Sequence, residues 1–132
     1  MPTPMPIVRF RVDFSRDEAV GPGKIALLER IAQCGSLSQA ARDLDMSYRR
    51  AWQLLESTNT SFLEKVAVTS KGGRGGGGAT LTAFGRQLIR SYRAFEKDVQ
   101  ARAARHFRPI AHHARKASAP SPAPITRLND RK

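Results

Sequence analysis

Apolar residues recur every three or four positions in several stretches of the chain, which is the period of an amphipathic helix. A first helix is predicted over residues 24–34, where Ile25, Leu28, Ile31 and Ala32 share one side. Glu29 and its charged or polar neighbours remain for solvent. This stretch is therefore expected to pack one face on a core.

Residues suited to helix capping predict two more helices that follow the first one closely along the chain. Gly35 ends the first helix, and Ser36 with Gln39 forms an S-x-x-Q capping box that starts a short helix over residues 37–44. Ser47 closes a tight turn and caps a third helix that runs to about residue 59. The order of helix, short helix, turn and helix predicts a helix-turn-helix.

Strand-like and glycine-rich stretches flank this unit. Residues 7–14 alternate apolar and polar positions, which predicts a strand with one buried face. Residues 66–69 and 79–81 are short strand-like runs on either side of a glycine-rich segment, which predicts a hairpin with a long flexible tip. Thr82 can cap a long last helix that extends to about Phe107. The predicted fold is α+β and mainly α: a winged helix-turn-helix with a small antiparallel sheet and a long C-terminal helix.

The length of 132 residues fits one compact domain with tails. Residues 1–6 are expected to be a disordered N-terminus, and residues 7–107 one folded domain that includes the long last helix (about 82–107). The apolar period stops after Phe107, and residues 108–132 are rich in Pro, Ala and Ser with scattered cations. That composition predicts a disordered basic tail.

The charge balance adds a candidate partner. Lys and Arg number 23 against 11 Asp and Glu, a formal net charge of +12. Such an excess favours a polyanionic partner, although a solubilising surface or a membrane-surface protein would show it too. The chain lacks an apolar run near the roughly 20 residues that span a bilayer, and its start lacks the features of a secretory signal. The expected location is cytoplasmic, without membrane association.

The third predicted helix has the features of a recognition helix. Its first turn must offer polar side chains to base edges while its far side stays apolar. Ala51, Leu54, Leu55 and Thr58 suit the core, and Trp52 is expected to pack in the core or half-buried rather than to stack on a base. The candidate base-contacting residues are Ser47, Tyr48, Arg50 and Gln53, with Arg49 suited to a base or a phosphate.

Arg50 and Gln53 are the preferred readers, because guanidinium pairs with guanine and carboxamide with adenine through two parallel hydrogen bonds. A solvated amphipathic helix that carries two arginines is an equally consistent interpretation of this stretch.

The glycine-rich tip of the hairpin offers Lys71 and Arg74 to phosphates or to a minor groove. It lacks the Lys and hydroxyl that end a phosphate-binding P-loop, so nucleotide binding is not expected. A turn without function and an RGG-like RNA-binding segment are the alternatives.

Catalytic and metal-binding patterns are not expected from the remaining polar residues. His106, His112 and His113 lie near the predicted end of the last helix, where adjacent histidines point about 100° apart. Cys34 is a single thiol and suits the packing of a small core side chain. The sequence thus predicts no enzyme activity, no metal site and no cofactor.

The helix-turn-helix and the hairpin over residues 66–81, which we call the wing, resemble a known family. The chain is similar from about Gly21 to Tyr92 to the N-terminal DNA-binding domain of ModE-type molybdate-responsive regulators. The resemblance is carried by GKIALLE (23–29), GSLSQAA (35–41), MSYRRAW (46–52) and GGRGGGGATLT (72–82). The G-S-x-S-x-A-A segment alone would also suit LysR-type regulators.

The resemblance implies a winged-helix homodimer that binds a palindromic operator in double-stranded DNA. It also implies that the N-terminal strand and the last helix help to form the dimer. Candidate phosphate contacts from the first helix of the helix-turn-helix are Ser36, Ser38 and Gln39, and candidate dimer contacts are Leu88, Tyr92, Phe95 and Val99.

Full-length members of that family carry C-terminal molybdate-binding domains, whereas this sequence continues into a Pro, Ala and Ser tail. No molybdate site is carried over, and no small-molecule effector is expected for this chain. The predicted function is a transcriptional regulator linked to molybdenum-related genes without its own molybdate-sensing domain. A nonspecific architectural nucleic-acid-binding protein, and a DNA-binding subunit that works with a separate sensor, are the alternatives.

Overall fold

The structure is a computed structural model and describes residues 5–16, 18–70 and 77–115. Helices dominate it, and the short strands pair into two separate antiparallel sheets. The elements in chain order are β1 (Val12–Ser15), β2 (Glu18–Val20), α1 (Pro22–Cys34), α2 (Leu37–Asp43), α3 (Tyr48–Ser61), β3 (Ala67–Thr69), β4 (Ala79–Leu81) and α4 (Ala83–Ala111).

α1 forms the centre of the core. Proline starts this helix at Pro22, where its missing N–H would have had no partner within the helix. Ile25, Leu28 and Ile31 are buried as predicted, and Leu27 joins them because neighbouring elements cover a second side of the helix. Ala32 was predicted on the buried side but is exposed.

α1 and α2 are each followed by a residue in the left-handed backbone conformation. Gly35 ends α1 with φ +68°, a conformation that glycine adopts without a steric penalty. Asp45 follows α2 with φ +61°, and its N–H donates to the Arg42 carbonyl at 3.1 Å while the Met46 N–H donates to the Ala41 carbonyl at 2.9 Å. This pair of bonds is a Schellman motif, and it sets the sharp turn into α3.

The N-terminal strand differs from its prediction. Residues 12–15 pair as β1 with β2, whereas residues 7–11 lie outside any strand. Side chains of α4 hold that segment instead: the Val8 N–H donates to Gln100 Oε1 at 2.9 Å, and the Tyr92 hydroxyl donates to the Phe10 carbonyl at 2.9 Å. Burial raises the pKa of Tyr92 to about 12, so this hydroxyl keeps its proton.

The sequence prediction missed β2. The strand has three residues and ends just before Gly21 and α1, so its alternation is too short to recognise.

Asn59 on α3 ties the helix-turn-helix to the β3–β4 hairpin. Its Oδ1 accepts the Val66 N–H at 2.7 Å, and its Nδ2 donates to the Ala67 carbonyl at 3.1 Å. The amide side chain therefore imitates a neighbouring strand for β3. The tip of the hairpin, residues 71–76, lies outside the described residues.

α4 begins at Ala83, where the Thr82 hydroxyl accepts the Gly85 N–H at 3.0 Å as predicted for a cap. It ends at Ala111 rather than near Phe107, because backbone hydrogen bonding continues past the point where the apolar period fades. Pro109 lies within its last turn. The structure does not describe residues 116–132, so the predicted disorder of the tail stays a prediction. Among the described residues, no helix is long and apolar enough to cross a membrane.

Candidate nucleic-acid interface

α3 is positioned by its cap and by its buried face. The Ser47 hydroxyl accepts the Arg50 N–H at 3.0 Å, so the helix starts where the sequence predicted. Ala51, Leu54, Leu55 and Thr58 are buried, and the predicted inner face is confirmed. With that face fixed on the core, the other side of α3 must point to solvent.

The exposed side of α3 presents aromatic, cationic and amide groups near its N-terminal end. Tyr48 is 55% exposed, and Arg49 and Gln53 are exposed one helical turn apart. Trp52, for which the core or a half-buried position was expected, is 47% exposed, one turn after Tyr48. This first half of α3 carries no acidic residue.

The two arginines of α3 occupy different positions. Arg49 is exposed and shares the outward side with Gln53, whereas Arg50 is half-buried. Residue type cannot show which of two adjacent arginines is the more exposed, and the preference for Arg50 as a base-contacting residue stays a prediction. The packing of Ala51 and Leu54 on the core decides which of the two arginines is the more exposed.

α2 presents the residues predicted for phosphate contacts, but only part of the predicted capping box forms. The Ser36 hydroxyl accepts the Gln39 N–H at 3.1 Å. The Gln39 side chain does not return this bond; its Nε2 donates to Asp43 at 2.7 Å and its Oε1 accepts from Arg42 at 2.8 Å. Ser36, Ser38 and Gln39 are all half-buried.

The surroundings of Asp43 explain why Gln39 turns along the helix. Hydrogen bonds from Gln39 and then from Arg30 lower the pKa of Asp43. The Asp43 carboxylate accepts from Gln39 Nε2 and the Arg42 guanidinium donates to Gln39 Oε1, and both charge-assisted bonds are stronger than one from the neutral Ser36 N–H would be.

The base of the hairpin lies against the start of α2. The Ala79 N–H donates to the Gly35 carbonyl at 3.0 Å, and the Ser70 N–H donates to the Gly78 carbonyl at 2.9 Å. The predicted tip residues Lys71 and Arg74 lie outside the described residues, so their contacts stay predictions.

The residues predicted for a dimer interface divide into two groups. Leu88 and Tyr92 are 9% and 5% exposed and belong to the core of their own chain, where Tyr92 stacks on Phe10 at a ring distance of 4.7 Å. Phe95 is 49% exposed and Val99 is half-buried. Helical periodicity identified the apolar side of α4, but it could not show that residues 8–10 cover part of it.

An apolar pocket of about 290 Å³ opens beside Phe95, between the β1–β2 hairpin and α4. Its lining consists of Val12, Phe14, Val20, Leu88, Ser91, Tyr92 and Phe95. The part of the chain that the structure describes holds no group of three or more His, Cys, Asp or Glu side chains arranged for a metal ion. Cys34 is half-buried, and its thiol donates to the Ser36 carbonyl at 3.3 Å.

A trihelical core with a capped second and third helix and an adjoining β-hairpin is the architecture of a winged helix-turn-helix. No family model matches the chain. Curated relatives do: it is 38% identical over 100 residues to the molybdenum transport protein ModE of Azotobacter vinelandii, which covers 73% of this chain and 37% of that protein.

Two further relatives match a similar part of the chain. The chain is 42% identical over 71 residues to the DNA-binding transcriptional dual regulator ModE of Escherichia coli strain K12, a match that covers 54% of this chain and 27% of that protein. The chain is also 40% identical over 80 residues to the molybdenum-pterin-binding protein MopB of Rhodobacter capsulatus, a match that covers 61% of this chain and 30% of that protein.

Over its N-terminal part the chain is similar in sequence to these ModE proteins, one of which is named a DNA-binding transcriptional dual regulator. It spans about a third of the length of these relatives, whose names are those of regulators, transport or binding proteins and not of enzymes.

Proposed function

We propose that this protein is a DNA-binding transcriptional regulator that recognises a palindromic operator as a homodimer. The observation that carries the proposal is the N-terminal half of α3, where Arg49, Gln53 and Tyr48 are exposed while the opposite face is locked into the core. A recognition helix needs this combination, since its readers must reach base edges from a rigid support. The kinship with DNA-binding ModE regulators supports the same function.

Within this proposal, Arg49 and Gln53 contact base edges in the major groove and Ser47 and Tyr48 contact the groove wall. Arg50 lies closer to the core and contacts a phosphate or a base at the edge of the groove. Backbone contacts come from α2, through Ser36, Ser38 and Gln39, and from the wing, through Lys71 and Arg74. Phosphate contacts of this kind fix the orientation of the helix, while base contacts provide the sequence preference.

The proposed dimer forms through the exposed apolar side of α4. Phe95 and Val99 are the predicted contact residues that remain accessible, and the pocket beside Phe95 extends this apolar surface. Two copies related by a two-fold axis would present their recognition helices about 34 Å apart, which is one turn of DNA. That spacing requires an operator with two inverted half-sites.

We further propose that the target genes are linked to molybdenum, as the names of the relatives suggest. Selection of bound fragments from a genomic library, with and without molybdate, tests the operator and the effector together. A recurring inverted repeat is the expected result. Binding without any recurring sequence would contradict the proposal and favour a nonspecific architectural protein, and a molybdate-dependent change would contradict the absence of an effector.

Point variants test the role of α3. Arg49→Ala is expected to reduce the preference for the selected operator over random DNA by about 1–3 kcal/mol, because one bidentate base contact is lost. Lys65→Ala is the matched control, since it removes an exposed cation just beyond the helix. If Arg49→Ala weakens binding to both DNAs equally, Arg49 contacts phosphate and the assignment of direct readout is wrong.

A further inference from the structure

α4 carries a row of cations on the side that faces away from the core. Arg90, Lys97 and Arg108 fall within about 20° of one another around the helix, at roughly 100° per residue, and Arg105 lies about 60° to one side of Arg90 and Arg108. All four side chains are exposed, whereas the buried residues Leu88 and Tyr92 lie on the opposite side. We call Arg90, Lys97, Arg105 and Arg108 the α4 basic stripe.

The charges of this stripe are not neutralised within the described part of the chain. Ion pairs there engage Arg93 with Glu29 and Glu96, Arg30 with Asp43, and Arg11 with Asp13, and none involves the stripe.

The two acidic residues of α4, Glu96 and Asp98, flank the stripe on opposite sides. Glu96 points toward the core side, where it accepts from Arg93 at 2.7 Å. Asp98 lies on the other flank, about 80° around the helix from Arg90 and on the same side as Arg105, from which it is about 10 Å away along the helix axis.

The stripe is long enough to follow a polyanion. From Arg90 to Arg108 the helix rises about 27 Å at 1.5 Å per residue, which corresponds to several phosphates of a duplex. Between the cations the same side carries only small or polar residues such as Ala94 and Ala101. A surface with cations and no large apolar side chain suits phosphates and lacks the apolar anchors that a membrane-binding helix uses.

We infer that the α4 basic stripe is a second DNA-contacting surface, which binds the phosphate backbone of duplex DNA separately from α3. The inference rests on the proposed function for the identity of its partner. Its contribution is sequence-independent, because the cations reach phosphates and not base edges. It lies on a different side of α4 from Phe95 and Val99, so dimer formation leaves it accessible.

The salt dependence of binding to a random duplex tests this inference in the full chain. The double variant Arg90→Gln/Lys97→Gln is expected to make the slope of log K against log salt concentration shallower by about 1.8 for each bound copy, since each lost phosphate contact removes about 0.9. The matched control is Arg16→Gln/Lys65→Gln, which removes the same charge from exposed positions outside α4. It is expected to leave the slope close to that of the wild type.

Equal slope changes in the two variants would overturn the inference, because net charge alone would then explain them. An unchanged slope in the α4 variant would also overturn it and would leave an acidic protein as the partner of the stripe. Far-ultraviolet circular dichroism confirms that both variants remain folded. Failure of α3 recognition is distinguishable, since it appears as lost preference for the selected operator while the slope on random DNA still responds to the α4 variant.

Discussion

Arg93 of α4 holds the carboxylate of Glu29 on α1 through two hydrogen bonds, from Nε at 2.9 Å and from Nη2 at 2.7 Å. The bond to Glu29 is the main reason why the pKa of Arg93 is raised. Nη1 of the same guanidinium donates to Glu96 at 2.7 Å. This pair joins the proposed dimerisation helix to the central helix of the core.

Breaking the Arg93–Glu29 pair is expected to destabilise the fold modestly. Glu29→Gln should lower the free energy of unfolding by about 1 kcal/mol, because both side chains are only partly buried and water screens the pair. Urea unfolding measures this effect. Glu96→Gln is the control, and it should lower the free energy of unfolding by only about 0.3 kcal/mol, the value of a single side-chain pair within one helix. A double-mutant cycle with Arg93→Gln that shows no coupling to Glu29 would contradict the expected role.

Loss of the Asn59 side chain is expected to cost more. Asn59→Ala removes the acceptor of the Val66 N–H and the donor to the Ala67 carbonyl, and both backbone groups belong to residues that are nearly fully buried. Leaving them without partners should lower the free energy of unfolding by about 2–3 kcal/mol. Thr60→Ala, at the exposed neighbouring position, should change it by less than about 0.5 kcal/mol. Similar effects of the two substitutions in chemical denaturation would show that Asn59 does not organise β3.

Gly85 allows α4 to start against β3. A Cβ at this position would lie 2.0 Å from the Val66 carbonyl oxygen, which is backbone and cannot rotate away. Gly85→Ala should therefore destabilise the protein by about 3 kcal/mol or more, in the range of severe overpacking. Gln87→Ala, on the exposed side of the same helix, should be nearly neutral. A thermal midpoint of Gly85→Ala equal to that of the wild type would contradict this close approach.

The two left-handed positions should respond to substitution with opposite signs. Asp45→Gly is expected to raise the free energy of unfolding by about 0.5–1 kcal/mol, because it removes the steric penalty at φ +61°. Gly35→Ala should lower it by about 1 kcal/mol through its φ of +68° alone, since no atom lies within 4 Å of the added Cβ. Denaturation midpoints with unchanged slopes would measure both; equal signs would refute the backbone explanation.

Acidification should weaken the contacts around α2. The pKa of Asp43 is lowered in the folded chain, first by Gln39 and then by Arg30, so its contribution to stability is complete above the ordinary range of an aspartate. It is lost as the pH falls below about 4 toward the folded-state pKa. Asp43→Asn should remove this part of the acid dependence, and Gln39→Ala should move the loss to higher pH. An identical pH profile of unfolding in all three proteins would contradict the assignment.

The local features of the helix-turn-helix could be predicted from the sequence. Ser36, Ser47 and Thr82 cap their helices as expected, and the inner face of α3 consists of the predicted residues. These features depend on hydrogen bonds and periodicities that span at most a few residues, so the residue types suffice to reveal them.

The sequence by itself therefore determined the order of the helices, their starts and the stretch that carries the candidate DNA-contacting residues. Only the tertiary structure decided that Arg49 and Trp52 face outward, that β2 completes the N-terminal hairpin, and that Tyr92 belongs to the core rather than to a free surface. The hydrogen bond between Tyr92 and the Phe10 carbonyl joins residues 82 positions apart. A contact at that separation leaves no local pattern, because it depends on how whole elements pack against each other.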